Sequence, residues 1–146
     1  ANQEEQGGLA HALLHGEAFV GQDHFAVALG DSLVHGGERP LLQRLIEAHL
    51  EHGAAATVAV QVVPDERISR YGVLEPEGEL GEVFRVRRIV EKPRPEEAPS
   101  NLAITARYVF SPLIFQACRQ CGRNADGEIE LTQAMTWLAE QGHPVL

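Results

Sequence analysis

The sequence predicts an α/β fold, a mixed sheet flanked by helices, and three observations predict it. Apolar runs of strand length, several rich in β-branched residues, alternate with segments whose apolar residues recur at helical spacing. Gly or Pro stands at most of the junctions between them, where chain direction must change. With 146 residues there is room for one domain, because a chain of about 150 residues buries roughly 70% of its unfolded surface.

Taken in order, a helix is predicted from Leu9 to Val20, opened by the pair Gly7-Gly8 and placing Leu9, Ala12, Leu13 and Ala18 near one face. Phe25 to Leu29 is a short continuous apolar run, the pattern of a strand buried on both sheet faces, and it ends in Gly30-Asp31. Pro40 to Leu50 is the clearest helix, with Pro40 suited to its first turn and Gly53 to its stop. The β-branched stretch Ala56 to Val63, halted by Pro64, follows directly. Strand, helix, strand predicts a parallel crossover unit.

Beyond Pro64 the pattern changes to paired strands: Tyr71 to Leu74, a Glu/Gly-rich turn from Glu75 to Gly81, then Val83 to Val90 with period-two alternation. A proline-punctuated connection from Lys92 to Ser100 leads into a further strand at Leu102 to Phe110. Helices are predicted at Pro112 to Cys121 and Leu131 to Gln141.

Composition narrows the chemistry. The hydrophobic fraction of 44% and charged fraction of 23% are those of an ordinary globular protein. A net charge of -9 repels a phosphate backbone and argues against general nucleic-acid binding. Neither a long apolar span nor a basic-then-apolar leader is visible, so a cytoplasmic location without membrane contact is expected. Cys118 and Cys121 lack the second pair that a zinc ribbon needs, and two reduced thiols on a helix are expected instead of a structural metal.

Three groups of residues are candidates for chemistry. Asp31 follows a predicted parallel strand, where open α/β sheets place ligands. It either caps the turn or offers a hard carboxylate to magnesium on a substrate phosphate. Glu91-Lys92-Pro93 ends the alternating strand, and its acid and base project to opposite faces unless the proline bends the chain. The pair is either a solvated strand end or a site for a sugar phosphate, the carboxylate accepting from vicinal hydroxyls and the ammonium facing phosphate. The acids of Asp126-Gly127-Glu128-Ile129-Glu130 enter a helix, and capping accounts for them. Arg85, Arg87 and Arg88 read as a solvated strand face. No glycine-rich phosphate loop of the Gly-x-Gly-x-x-Gly or Gly-x-x-x-x-Gly-Lys kind occurs.

In order and spacing, a set of these runs resembles the sugar-1-phosphate nucleotidyltransferase family. The set comprises Gln3 ahead of Gly8-Leu9-Ala10-His11-Ala12, Leu29-Gly30-Asp31, Ser69-Arg70-Tyr71-Gly72-Val73, Glu91-Lys92-Pro93, Glu97 to Ile104, Arg107-Tyr108 and Gly127-Glu128-Ile129. The stretch Glu97-Ala98-Pro99-Ser100-Asn101-Leu102-Ala103-Ile104 is most similar to bacterial uridylyltransferases that make UDP-glucose. Ala10 and Gly30-Asp31 are instead similar to the thymidylyltransferase branch, and Thr105, Glu130 and Gln133 leave the uridylyl pattern.

The resemblance implies a partial Rossmann-like, glycosyltransferase-A-like sheet, with residues 1–146 as the central to C-terminal portion of a single nucleotidyltransferase domain. It implies that Gln3 and Gly8 meet the nucleobase and that Gly72, Glu91 and Ile104 hold the sugar. Asp31 would bind Mg2+, and Asp31 and Lys92 would be the catalytic residues. The partners implied are a nucleoside triphosphate and a sugar 1-phosphate, in a homo-oligomer. The implied reaction makes UDP-glucose and pyrophosphate from UTP and glucose 1-phosphate. Transfer from dTTP or CTP, or a non-catalytic sugar-nucleotide-binding module, are the alternatives. The family's glycine-rich triphosphate loop and a later segment are not among these residues, so this chain alone is expected not to turn over.

Overall fold

A computed structural model of the chain describes residues 7–34 and 39–146. Helix α1 (Gly8–Leu14) starts at the glycine pair, with Gly8 at φ 86°, a conformation that glycine adopts without strain. The single helix expected as far as Val20 is instead two, because the chain breaks at His15-Gly16 before α2 (Glu17–Val20). The His15 and Gly16 amides turn back to Ala12 and Leu13, one residue tighter than an α-helical bond, and glycine disfavours continuation.

The strands are β1 (Phe25–Ala28), β2 (Ala56–Val62), β3 (Gly72–Glu77), β4 (Arg85–Glu91) and β5 (Leu102–Phe110). Helix α3 (Leu41–Glu51) lies between β1 and β2, while α4 (Leu113–Gln120) and α5 (Leu131–Glu140) follow β5. Short 3-10 turns at Asp65–Arg70 and Pro95–Glu97 carry the proline-rich connections.

Strand β5 organises the sheet. It pairs antiparallel with β2 along one edge, and with β1 and then β3 along the other, since Phe110 faces both Phe25 and Ala56 while Ala103 faces both Gln61 and Val73. Strand β4 pairs antiparallel with β3. The expected parallel crossover forms, since β1 and β2 run the same way with α3 between them in the chain, but the two strands are not neighbours: antiparallel β5 lies between them and takes the hydrogen bonds of both. The reading of β1 as buried on both faces is also corrected, because Ala26 and Ala28 are exposed and only Phe25 and Val27 turn inward. Two small alanines gave an apolar run without needing to be covered.

Alternation along β5 divides the core. Tyr108 and Phe110 join Phe115, Met135 and Leu138 under α4 and α5, whereas Val109 turns to the opposite face and packs with Ala59 and Leu45 of α3. The period-two geometry of a strand makes this split unavoidable once β5 is central. Residues 144–146 then lie along β2, with the Ala55 amide donating to Pro144 at 2.8 Å and that of Val58 to Leu146 at 2.9 Å. Among the described residues, no helix is long and apolar enough to cross a membrane.

Candidate functional site

Register alone brings three of the candidate residues together. Gly72 stands opposite Glu91 across β3 and β4, and the neighbouring antiparallel pair Val73–Ala103 brings Gly72 level with Ile104 of β5. A Cβ on Gly72 would lie 2.8 Å from Thr132 Cγ2, 3.1 Å from Ile104 Cδ1 and 3.2 Å from Glu91 Oε2. Glycine here lets Thr132, Ile104 and Glu91 close directly onto the β3 backbone at the cleft wall.

Glu91 closes β4, and its carboxylate is held from above. Thr132 Oγ1, in the first turn of α5, donates to Glu91 Oε2 at 3.0 Å. One oxygen of the pair keeps acceptor capacity toward the cleft. Lys92 follows at φ 44°, a left-handed conformation unusual for a long side chain, with its amide donating to Tyr71 O at 3.0 Å. That reversal, reinforced by buried Pro93, is what lets acid and base share one side: Lys92 Nζ lies 4.0 Å from Glu91 Oε1. Backbone strain of this kind collects where a side chain must be aimed.

Asp31 comes from the other edge of the site. Strand β1 ends opposite Arg107, and the turn that follows runs alongside the kinked segment of β5, where Ala106 has φ 57°. The Asp31 carboxylate is exposed and receives a 3.4 Å hydrogen bond from the Ser32 hydroxyl. Asp31, Gly72, Glu91, Lys92 and Ile104 all line one cleft of about 1020 Å³. The acid after β1 and the acid–base pair after β4 thus face a common concavity, which neither local pattern could establish.

Gly8 stands just outside the cleft wall, where its neighbour Leu9 is a lining residue. It fits tightly there, since a Cβ would meet Ile129 O at 2.8 Å, and the Ile129 amide donates to Gly7 O at 2.8 Å. Gln3, the other residue assigned to the nucleobase, lies outside the described residues.

The acids ahead of α5 do something other than capping, so that expectation is corrected. No side chain caps α5 and its first turn has no acid. Asn124 makes the turn instead, its Oδ1 accepting from the Asp126 and Glu128 amides at 3.0 and 2.9 Å and its Nδ2 donating to Glu130 at 2.8 Å. Glu128 and Glu130 are thereby left on the cleft wall.

Two further residues were not assigned from sequence. Thr132 carried no local signal, since a threonine in a first helical turn is ordinary; only packing of α5 over β4 gives it Glu91 as a partner. Tyr108, named only as part of a motif, is 5% exposed on the cleft floor, and its hydroxyl is pushed up to about 12 by burial, then by the charges of Glu91 and Asp31. It is a neutral donor at physiological pH. Of the remaining candidates, Cys118 and Cys121 are free thiols, with Cys118 buried in α4 and pushed up to about 12 by that burial. Arg87 and Arg88 ion-pair with Glu75 on the exposed face of the hairpin, away from the cleft lining.

Comparison with known proteins accords with this geometry. The nucleotidyl transferase family model matches residues 1–146. The UTP–glucose-1-phosphate uridylyltransferase of Mycoplasma pneumoniae is 40% identical over 144 residues, which is 97% of this chain and 49% of that protein. A solved structure of UDP-glucose pyrophosphorylase complexed with UDP-glucose superposes with a TM-score of 0.91 at 33% identity, covering 99% of this chain and 55% of the other. The UTP-bound enzyme from Acinetobacter baumannii superposes at 0.86 with 34% identity, covering 99% and 50%. The chain spans about half the length of the curated relatives it matches. With its whole length matched and its fold shared at this identity, the chain belongs to the nucleotidyltransferase family.

Proposed function

We propose that this chain carries the sugar-phosphate side of a UTP:glucose-1-phosphate uridylyltransferase site, within one nucleotidyltransferase domain. The observation behind this reading is the convergence of Asp31, Gly72, Glu91, Lys92 and Ile104 on one cleft. The relatives named for UDP-glucose and UTP support the choice of ligands.

In this reading the glucosyl ring packs along the stretch of cleft wall that Gly72 and Ile104 share. Glu91, oriented by Thr132, accepts from ring hydroxyls, and a vicinal pair matches the two oxygens of a carboxylate. The Lys92 ammonium faces the phosphate as a point charge. A phosphate oxygen of glucose 1-phosphate attacks the α-phosphorus of UTP in line, the new P–O bond forms, and the bond to pyrophosphate breaks. Catalysis of this kind rests on positioning and charge neutralisation.

The residues present suit a magnesium ion of a particular kind. Among the described residues no group of three acids, histidines or cysteines could cage a metal. Asp31, like Glu128 on the opposite stretch of wall, is exposed at the cleft with no ion pair among them, and it stands in the turn after β1. Magnesium is commonly held by one or two carboxylates plus substrate phosphates, which is the donor set that Asp31 and a bound nucleotide would make. When bound, the ion would neutralise charge on the phosphate oxygens. A cytoplasmic location and association into a homo-oligomer belong to the same proposal.

Calorimetric titration tests it. UDP-glucose should bind more tightly than dTDP-glucose, and at least about tenfold more tightly with magnesium than without, a gap that Asp31→Asn closes. Metal-independent binding of one ligand would instead favour a non-catalytic module, and absence of binding to either would end the reading.

A further inference from the structure

The turn that presents Asp31 is short, exposed and rich in rotatable backbone, yet its bracketing carbonyls have one shared partner. Arg107 Nη1 donates to Leu29 O at 3.2 Å, and Nη2 donates to Ser32 O at 2.5 Å. The same guanidinium is anchored on its own strand, with Nη1 donating to Ala106 O at 2.9 Å. Ala106 O also accepts the Leu29 amide at 3.2 Å, so the left-handed kink at Ala106 turns one carbonyl outward to serve both the arginine and the turn.

Arg107 is half-buried, and among the described residues no carboxylate stands within ion-pair distance of it. A guanidinium in that position would ordinarily find an acid, as buried cations are costly without a partner. Here its donors go to carbonyls at residues 29, 32 and 106, on both sides of Gly30-Asp31. We propose that Arg107 is the positioning residue of the Asp31 turn: its planar fork grips the carbonyls before and after Gly30-Asp31 and fixes the Asp31 carboxylate at the cleft wall. Lysine cannot replace it, because a single ammonium lacks the rigid fork that spans two carbonyls. The consequence for ligand binding rests on the reading of Asp31 as the carboxylate serving a phosphate-bound divalent ion.

Two measurements on Arg107→Lys and Arg107→Met decide the proposal, and R107K keeps charge and approximate length should R107M fold poorly. In the free protein, hydrogen exchange across residues 29–32 should quicken by roughly tenfold or more in both variants while α4 and α5 keep their protection. Unchanged exchange there overturns the proposal. In calorimetry with UDP-glucose and manganese, R107K should lose about tenfold of the metal-dependent affinity, the scale expected when the support of a ligating carboxylate is removed. Its metal-free affinity should stay within about twofold of the parent. Equal loss with and without metal, or full rescue by lysine, overturns it. An unsubstituted chain whose UDP-glucose affinity ignores metal sinks the functional reading instead, and exchange alone then shows whether Arg107 holds the turn.

Discussion

Gly72 and Thr132 carry the most at the level of single side chains. Adding one methyl group at Gly72 forces contacts of 2.8 Å with Thr132 and 3.1 Å with Ile104. We expect Gly72→Ala to cost about 1–3 kcal/mol in chemical denaturation and to lower UDP-glucose affinity by at least about tenfold, as overpacking displaces Thr132, Ile104 and Glu91 at the cleft wall. Retention of full affinity would show that the sugar does not lie there. Thr132→Val keeps the methyl group and removes the donor to Glu91. It should leave stability within about 1 kcal/mol and weaken UDP-glucose binding about fivefold, the scale of one hydrogen bond. Unaltered binding would mean that Glu91 needs no orientation. Asp31, Glu91 and Lys92 were legible as candidates because their chemistry is written in residue type, and Gly72 because its motif is. Thr132 was not, since its partner is 41 residues away in sequence.

The next level up is held together by a chain of two imidazoles and a hydroxyl. His24 Nδ1 lies 2.7 Å from His49 Nε2, and His49 Nδ1 lies 2.9 Å from Thr57 Oγ1, tying the turn before β1 to α3 and β2. His49 is fully buried, and burial, with a smaller contribution from His24, lowers it to about 4. Its folded pKa is below the unfolded value of 6.5, so its contribution to stability is complete above pH 6.5 and fades as pH falls toward 4. Denaturation at pH 7.5 and pH 5 should differ by about 2 kcal/mol from this group. His49→Gln, which cannot titrate, should flatten the profile by that amount; an identical slope in both proteins would rule His49 out as the cause. Helix α3 and the β3–β4 hairpin were readable from spacing, Pro40, Gly53 and alternation. The left-handed turns at Lys92 and Ala106 were not, because non-glycine residues give no sign of positive φ.

For the molecule as a whole, β1 leaves an edge unmet: among the described strands it pairs only with β5, as β4 pairs only with β3. Phe19 at 96% exposure and Leu33 at 84% lie just before and after that strand. Unpaired strand edges beside apolar side chains invite association, and we expect light scattering at tens of micromolar, a concentration of roughly −6 kcal/mol in affinity terms, to show a dimer. A clean monomer would overturn that expectation. The α/β class, most element positions and the candidate acids and base follow from composition, periodicity and residue chemistry, all of which are local. Placing antiparallel β5 between β1 and β2, and so closing Asp31 and Glu91-Lys92 around one cleft, was decided only in three dimensions. Strand order depends on which distant edges bury the most surface and satisfy the most backbone groups, and no window of neighbouring residues contains that comparison.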